Sequence, residues 1–277
     1  MSSDDGFFLV NRNRRIVFLL HGLTGSPFEM RYFGGKLHKM GYDIFCPCLP
    51  GHCTNLENLK SKKWQDWVDF AREQFRTLLS MYDEVFVSGL CLGALIALSI
   101  AIEGDAPKAI ALLSPTLALD GWSLPWYRFL LPLTQTPLRH VIDYSFREAE
   151  PYGVKNERVR KKIISMLRTN NIAAYDKYPA VTIIELKRMS KYIRRNIGKV
   201  NVPAIIMHAE LDDITKIRNA EFVYKNVCSG EKEFVRLKDS YHLITMDNEK
   251  DIVIQKTLEF FDCASSLNGE LLSVNEA

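Results

Sequence analysis

Three short stretches hold residue types that could do covalent chemistry together: Gly89-Leu90-Cys91-Leu92-Gly93, the loop Glu210-Leu211-Asp212-Asp213, and Ser240-Tyr241-His242. A cysteine attacks as its thiolate and needs a base beside it, and a histidine base needs a carboxylate to orient it. The glycines two places either side of Cys91 mark a turn too sharp for β-carbons. Before the turn lies the apolar run Val85-Phe86-Val87, strand-like in its β-branched and aromatic content. After it comes an apolar stretch without glycine or proline until Gly104. Strand, tight turn and helix form an elbow that lifts a nucleophile to the end of a sheet. The residue at such a tip is usually serine, and here it is Cys91.

These groups meet only if other elements carry their loops to one edge. Phe7 to Val10, Arg15 to Leu20, Tyr42 to Cys46 and Lys108 to Leu113 read as strands. Helices are expected from Pro27 to about Met40 and from Trp64 to Met81, where Trp64, Trp67, Val68, Ala71, Phe75 and Leu78 recur at helical spacing. Strands resume at Val202 to His208 and Glu233 to Leu237, with helices from about Ile214 to Cys228 and Asp251 to Cys263. Alternating strands and helices imply a mostly parallel sheet covered on both faces, with ligands at the carboxyl ends of its strands. Cys91, the loop after Leu20, the Glu210–Asp213 loop and the His242 loop all follow strands.

Between Thr116 and Gly198 the alternation breaks and no clear strand is legible. Helical patterns fall around Glu157 to Leu167 and Val181 to Arg195. We read 116–199 as an inserted helical cap, 1–115 and 200–265 as the α/β core, and 266–277 as a disordered tail. The aromatic, proline-punctuated opening from Gly121 to Pro132 could line an acyl tunnel or pack the cap onto the core.

Composition narrows the class further. A chain of 277 residues, 47% hydrophobic and 25% charged, suffices for one α/β domain with an insertion. Met1-Ser2-Ser3-Asp4-Asp5-Gly6 lacks the basic-then-apolar pattern of a secretion signal, and no run approaches the ~20 apolar residues of a spanning helix. A cytoplasmic protein is expected, with its six cysteines as free thiols. Cys46, Cys48, His52 and Cys53 crowd together, but their spacing matches none of the paired zinc patterns, so no metal is expected. No glycine motif cradles a phosphate, and no cofactor is implied.

With these residues in view, the chain resembles the α/β-hydrolases, and within them the bacterial carboxylesterases and monoacylglycerol lipases with a short helical cap. The motifs are His21-Gly22-Leu23-Thr24-Gly25, Leu49-Pro50-Gly51-His52, Gly89-Leu90-Cys91-Leu92-Gly93, Glu210-Leu211-Asp212-Asp213-Ile214 and Ser240-Tyr241-His242, over residues 7–262 apart from the cap. The resemblance implies Cys91 as nucleophile, His242 as general base and later acid, and Asp212 as the orienting carboxylate. It leaves Asp213 as a helix-capping or solvated residue and Glu210 as loop surface. It places the oxyanion donors at the backbone N–H groups of Leu23 and Leu92. His21 then braces the oxyanion loop, His52 and His208 are structural, and His38 and His140 have no motif around them.

A thiolate exchanging one thioester for another forms an acyl-enzyme nearly isoenergetic with its donor. Cysteine therefore widens the expected activity from esterase to thioesterase or acyltransferase. Cysteine at this elbow also occurs in polyhydroxyalkanoate synthases and dienelactone hydrolases, which the chain resembles in that letter alone. A binding protein that keeps the pocket without the chemistry is the other reading, against which the intact Asp212 and His242 positions argue. The cap adds a second clue: Lys155 to Lys199 holds thirteen Lys and Arg against three acids, +10 where the remainder carries −7. Such segregation suits an acidic partner at the mouth of the site, such as acyl carrier protein, the phosphates of coenzyme A or an anionic membrane surface; otherwise it is a solvated helical face. No recognised motif accompanies the charge, so nucleic acid is not expected.

Overall fold

The computed structural model describes residues 6–124, 145–147, 149–168 and 175–275. Seven strands form one sheet in the order β1 (Phe7–Leu9), β3 (Asp43–Cys46), β2 (Arg15–Leu20), β4 (Glu84–Leu90), β5 (Ile110–Leu113), β8 (Ala204–Ala209) and β9 (Lys232–Leu237). All neighbours pair in parallel except β1 with β3. The interior strands read as unbroken apolar runs because helices cover both faces: every residue of β5 and β8 is buried.

Helix α4 (Leu92–Ile102) shows why the opening elbow is central. It is apolar all round, and every one of its residues is buried. One side packs on β4, β5 and β2 and the others on α3 (Trp64–Met81) and α6 (Ala180–Asn196), so no face is left for solvent. Helix α1 (Phe28–Lys39) turns Met30, Phe33 and Leu37 inward, and α3 does the same with Trp67, Val68, Ala71, Phe75 and Leu78. The short α2 (Leu56–Ser61) starts where the Asn55 side chain accepts the Asn58 N–H at 2.9 Å.

The insertion contains α5 (Glu157–Arg168) and α6, close to the expected spans. It also holds two three-residue strands that periodicity did not reveal, β6 (Ser145–Arg147) and β7 (Lys177–Pro179), paired antiparallel. Most of the aromatic segment 121–132 and His140 lie outside the described residues. In the second half of the core, α7 (Arg218–Asn226) begins four residues later than expected, after a loop organised by Asp212. The last helix, α8 (Lys250–Asn275), continues beyond Ser265, where fraying was expected. Ser265 is tied to the core by a 2.9 Å hydrogen bond to Glu84, and no proline follows to end the helix. No helix among the described residues is long and apolar enough to cross a membrane.

Candidate active site

Cys91 stands between β4 and α4 with φ 56° and ψ −110°, a left-handed conformation that costs a non-glycine residue about 1–3 kcal/mol. Its flanking glycines permit it. A β-carbon on Gly93 would overlap the Leu20 carbonyl, and one on Gly89 would overlap the Gly93 backbone. Strand β2, strand β4 and helix α4 thus meet backbone to backbone beneath the cysteine. The Cys91 N–H donates to Leu113 O at 2.9 Å, anchoring the turn to β5.

The structure brings His242 and Asp212 together with it. His242 Nδ1 lies 2.8 Å from Asp212 Oδ2, and both side chains are buried. The other carboxylate oxygen accepts the Ile214 and Thr215 N–H groups, each at 2.8 Å, so the carboxylate cannot turn away. Burial alone would push Asp212 up, but His242, His208 and the Thr215 N–H outweigh it and hold its pKa below the usual carboxylate value. Burial likewise opposes charge on His242, and there too it loses: Asp212 and the Cys91 sulfur hold the imidazolium well above the ordinary histidine value. The ring's other nitrogen, Nε2, is buried without a hydrogen-bond partner among the described residues.

Asp213 is neither solvated nor a helix cap, contrary to expectation. It is fully buried under the cap, one oxygen accepting the Gly153 N–H at 3.2 Å. Burial, aided by the Asp212 charge, pushes its pKa up. Glu210 is exposed, as expected of loop surface. His208 is fully buried, with Nε2 3.1 Å from Thr215 O.

The loop after β2 is held by two histidines. Leu49 N–H donates to His21 Nε2 at 3.1 Å, leaving Nδ1–H to donate to Gly22 O at 3.0 Å. His52 Nε2 lies 2.7 Å from Leu23 O, so it pins the peptide next to the proposed oxyanion donor. Burial keeps both rings neutral, His21 well below its ordinary value with His52 adding to the effect. The N–H groups of Leu23 and Leu92 donate to no other group among the described residues.

The turn that carries His52 corrects a second expectation. Cys48 and Cys53 are joined by a disulfide rather than free, while Cys46, Cys91, Cys228 and Cys263 are thiols. Gly51 at φ 83° and Cys53 at φ 57° reverse the chain between them. Ligand atoms of His21, Cys48 and Cys53 lie within 4.8 Å of one another. The two sulfurs are bonded to each other, however, and both His21 nitrogens hold peptide groups.

A cavity of about 60 Å³ opens over the sulfur. Its walls are mostly apolar, with Phe28, Leu119, Ile163, Leu167, Leu243 and Met246 among them. Cys91 is 6% exposed, so a reactant reaches it through this cavity. Ile163 and Leu167 come from the inner side of α5, whose Arg158, Lys161 and Lys162 are exposed.

The family model for "Serine aminopeptidase, S33" matches residues 11–250. The chain belongs to that hydrolase family. It is 28% identical over 253 residues to the thermostable monoacylglycerol lipase of Bacillus sp. (strain H-257), covering 88% of this chain and 89% of that one. It is 22% identical over 249 residues to a carboxylesterase of Bacillus subtilis (strain 168), covering 90% and 92%. The solved monoacylglycerol lipase of Paleococcus ferrophilus superposes with a TM-score of 0.79 at 17% identity, covering 94% of this chain and 98% of that one. At that identity the match establishes the fold, which is that of the α/β-hydrolases.

Three residues of the site escaped the sequence reading. Glu29 lines the cavity beside Cys91 although it sits in the first turn of α1, where an acid reads as a helix-dipole residue. Gly153 binds Asp213 and receives the Leu243 N–H at 2.8 Å. Tyr175 donates its N–H to Thr24 O and its hydroxyl to Gly51 O, both at 2.8 Å, tying the cap to the loops after β2 and β3. No local pattern marks them, since each acquires its partner by tertiary contact.

Proposed function

We propose that the chain is a lipase- or esterase-type acyl hydrolase that works through a covalent Cys91 acyl-enzyme on a hydrophobic acyl substrate. The observation that carries this reading is the strained elbow cysteine beneath an apolar cavity, with a buried His242–Asp212 pair 2.8 Å apart. The ester and lipid substrates named for the relatives agree with it.

As the Cys91 sulfur attacks the acyl carbonyl its proton passes to His242 Nε2, and the Leu23 and Leu92 N–H groups receive the oxyanion. Collapse expels the alcohol or thiol, which takes that proton from His242 Nε2. His242, neutral again, removes a proton from water attacking the thioester, and a second collapse releases the acid and expels the Cys91 sulfur, which takes the proton back. Asp212 fixes Nδ1–H throughout, so that Nε2 serves both steps. Losing one oxyanion donor costs ~100–1000-fold in such reactions.

Cys91→Ala is expected to keep the fold and to lose the adduct seen by intact mass spectrometry after incubation with an acyl thioester. Stoichiometric labelling of that variant would sink the assignment.

Acyl transfer is the second reading, favoured by the cysteine itself and by the +10 charge of 155–199. Acyl carrier protein, coenzyme A or an anionic membrane surface would then be the acidic donor or support. A long-lived acyl adduct indicates transfer, and rapid turnover indicates hydrolysis.

A further inference from the structure

Glu29 is a buried acid that the proposed acyl chemistry does not use. Its side chain folds back under the oxyanion loop, where Oε2 accepts the Gly22 N–H at 2.9 Å. The carboxyl fills the space that side chains at Gly22 and Gly25 would need, which is why that loop is glycine there. A β-carbon on Gly22 would lie 3.0 Å from Glu29 Oε2 and 3.6 Å from the Cys91 β-carbon, so the carboxyl and the nucleophile flank the same residue. Glu29 is also tied to the other half of the site, its backbone carbonyl accepting the Thr245 hydroxyl at 2.8 Å, three residues beyond His242. Among the described residues no Lys or Arg pairs with it.

The titratable and charged groups around it come from every neighbouring element. His242 faces it from the loop after β9, Cys91 from the elbow and Cys46 from β3. The phenols of Tyr152 and Tyr178 line the same cavity from the cap, and Arg31 on its own helix acts on Cys46. With no cation paired to it, burial pushes its carboxyl up to about 7, the Gly22 N–H and His242 only partly offsetting it.

We propose that Glu29 is a positioning residue that works in its neutral form, its carboxyl oxygen fixing the His21–Gly22 peptide and so setting the next peptide, whose Gly22 carbonyl His21 Nδ1 holds, with the Leu23 N–H towards the acyl oxygen. This rests on the reading of Cys91 as the acylated residue and Leu23 as an oxyanion donor. The protonated acid keeps the acceptor without placing a negative charge beside a developing oxyanion. The carboxylate keeps the acceptor but repels that oxyanion, as like charges do in a site with little water. The sign follows: the acid form predominates below about pH 7, and kcat falls as pH rises through that titration. The effect belongs to kcat, because the ground-state carbonyl carries little charge.

The test is the pH dependence of p-nitrophenyl butyrate hydrolysis by the full chain and by Glu29→Gln and Glu29→Ala. Glu29→Gln keeps an acceptor that cannot ionise, so its kcat should lack the fall across pH 7 and exceed wild type about 10-fold at pH 8, one unit above the titration. Its KM should stay within about twofold. Glu29→Ala should lose at least tenfold in kcat at every pH. If it does not fold, the Gln variant decides alone. A Glu29→Gln profile superimposable on wild type overturns the proposal while leaving the Cys91 reading intact, provided wild type forms its acyl adduct. If wild type forms no adduct, both fall.

Discussion

Neutralising Asp212 tests the central arrangement most directly. Asp212→Asn preserves size and can still accept the Ile214 and Thr215 N–H groups, so the loop should keep its shape. What it removes is the charge opposite His242. With Nδ1 and Oδ2 2.8 Å apart, the charge centres lie about 4 Å apart, worth about 4 kcal/mol at an effective dielectric constant of ~20. If the transition state feels the whole of it, kcat falls ~1000-fold. Both partners are buried, so salt should not screen the effect. The assay is steady-state ester hydrolysis, combined with an NMR titration of the His242 ring. The ring's midpoint should move to lower pH, because the Asp212 charge is the main influence holding its proton against burial. A ring that titrates where it did before, or a kcat within threefold of wild type, would refute the argument that Asp212 sets the state of His242.

His52→Ala should lower kcat about 10- to 100-fold with little change in KM, because it leaves the Leu23 carbonyl buried without its 2.7 Å partner, a loss of ~1–3 kcal/mol. Steady-state kinetics checks it, and an unchanged kcat would mean that the oxyanion loop holds itself. Gly93→Ala should destabilise the fold by about 3 kcal/mol in urea denaturation, since its β-carbon overlaps the Leu20 backbone, which cannot move without disturbing β2. A fully stable, active Gly93→Ala protein would contradict the backbone-to-backbone packing of the elbow.

The parts of this site that could be read from the sequence are those set by local chemistry. A strand run, a glycine-flanked turn and an apolar helix are written in consecutive residues, so Cys91 could be placed at a strand end. The loops that carry Asp212 and His242 followed from their positions after β8 and β9, whereas the choice of Asp212 over Asp213 came from the family resemblance. Asp213 was misread because its burial depends on Gly153, sixty residues earlier, and the same residue type is ordinarily solvated. Ser145-Phe146-Arg147 and Lys177-Tyr178-Pro179 are too short to show alternation, and each is a strand only because the other pairs with it. The disulfide was hidden for a different reason. Free thiols are the ordinary expectation for a chain read as cytoplasmic, and spacing alone does not say that Gly51 and Cys53 turn back on themselves.

The cap contacts have a mechanical meaning. At one end, Gly153, Lys155 and Asn156 bond to Asp213, Leu243 and Asp247, all in the loops that carry Asp212 and His242. At the other, Tyr175 bonds to Thr24 and Gly51 beside the oxyanion loop. Helix α5 is therefore slung between two moorings, one on the loops that carry Asp212 and His242 and one on the loop after β2. In the proposed acyl-enzyme, an acyl chain resting against Ile163 and Leu167 would bear on an element tied to both.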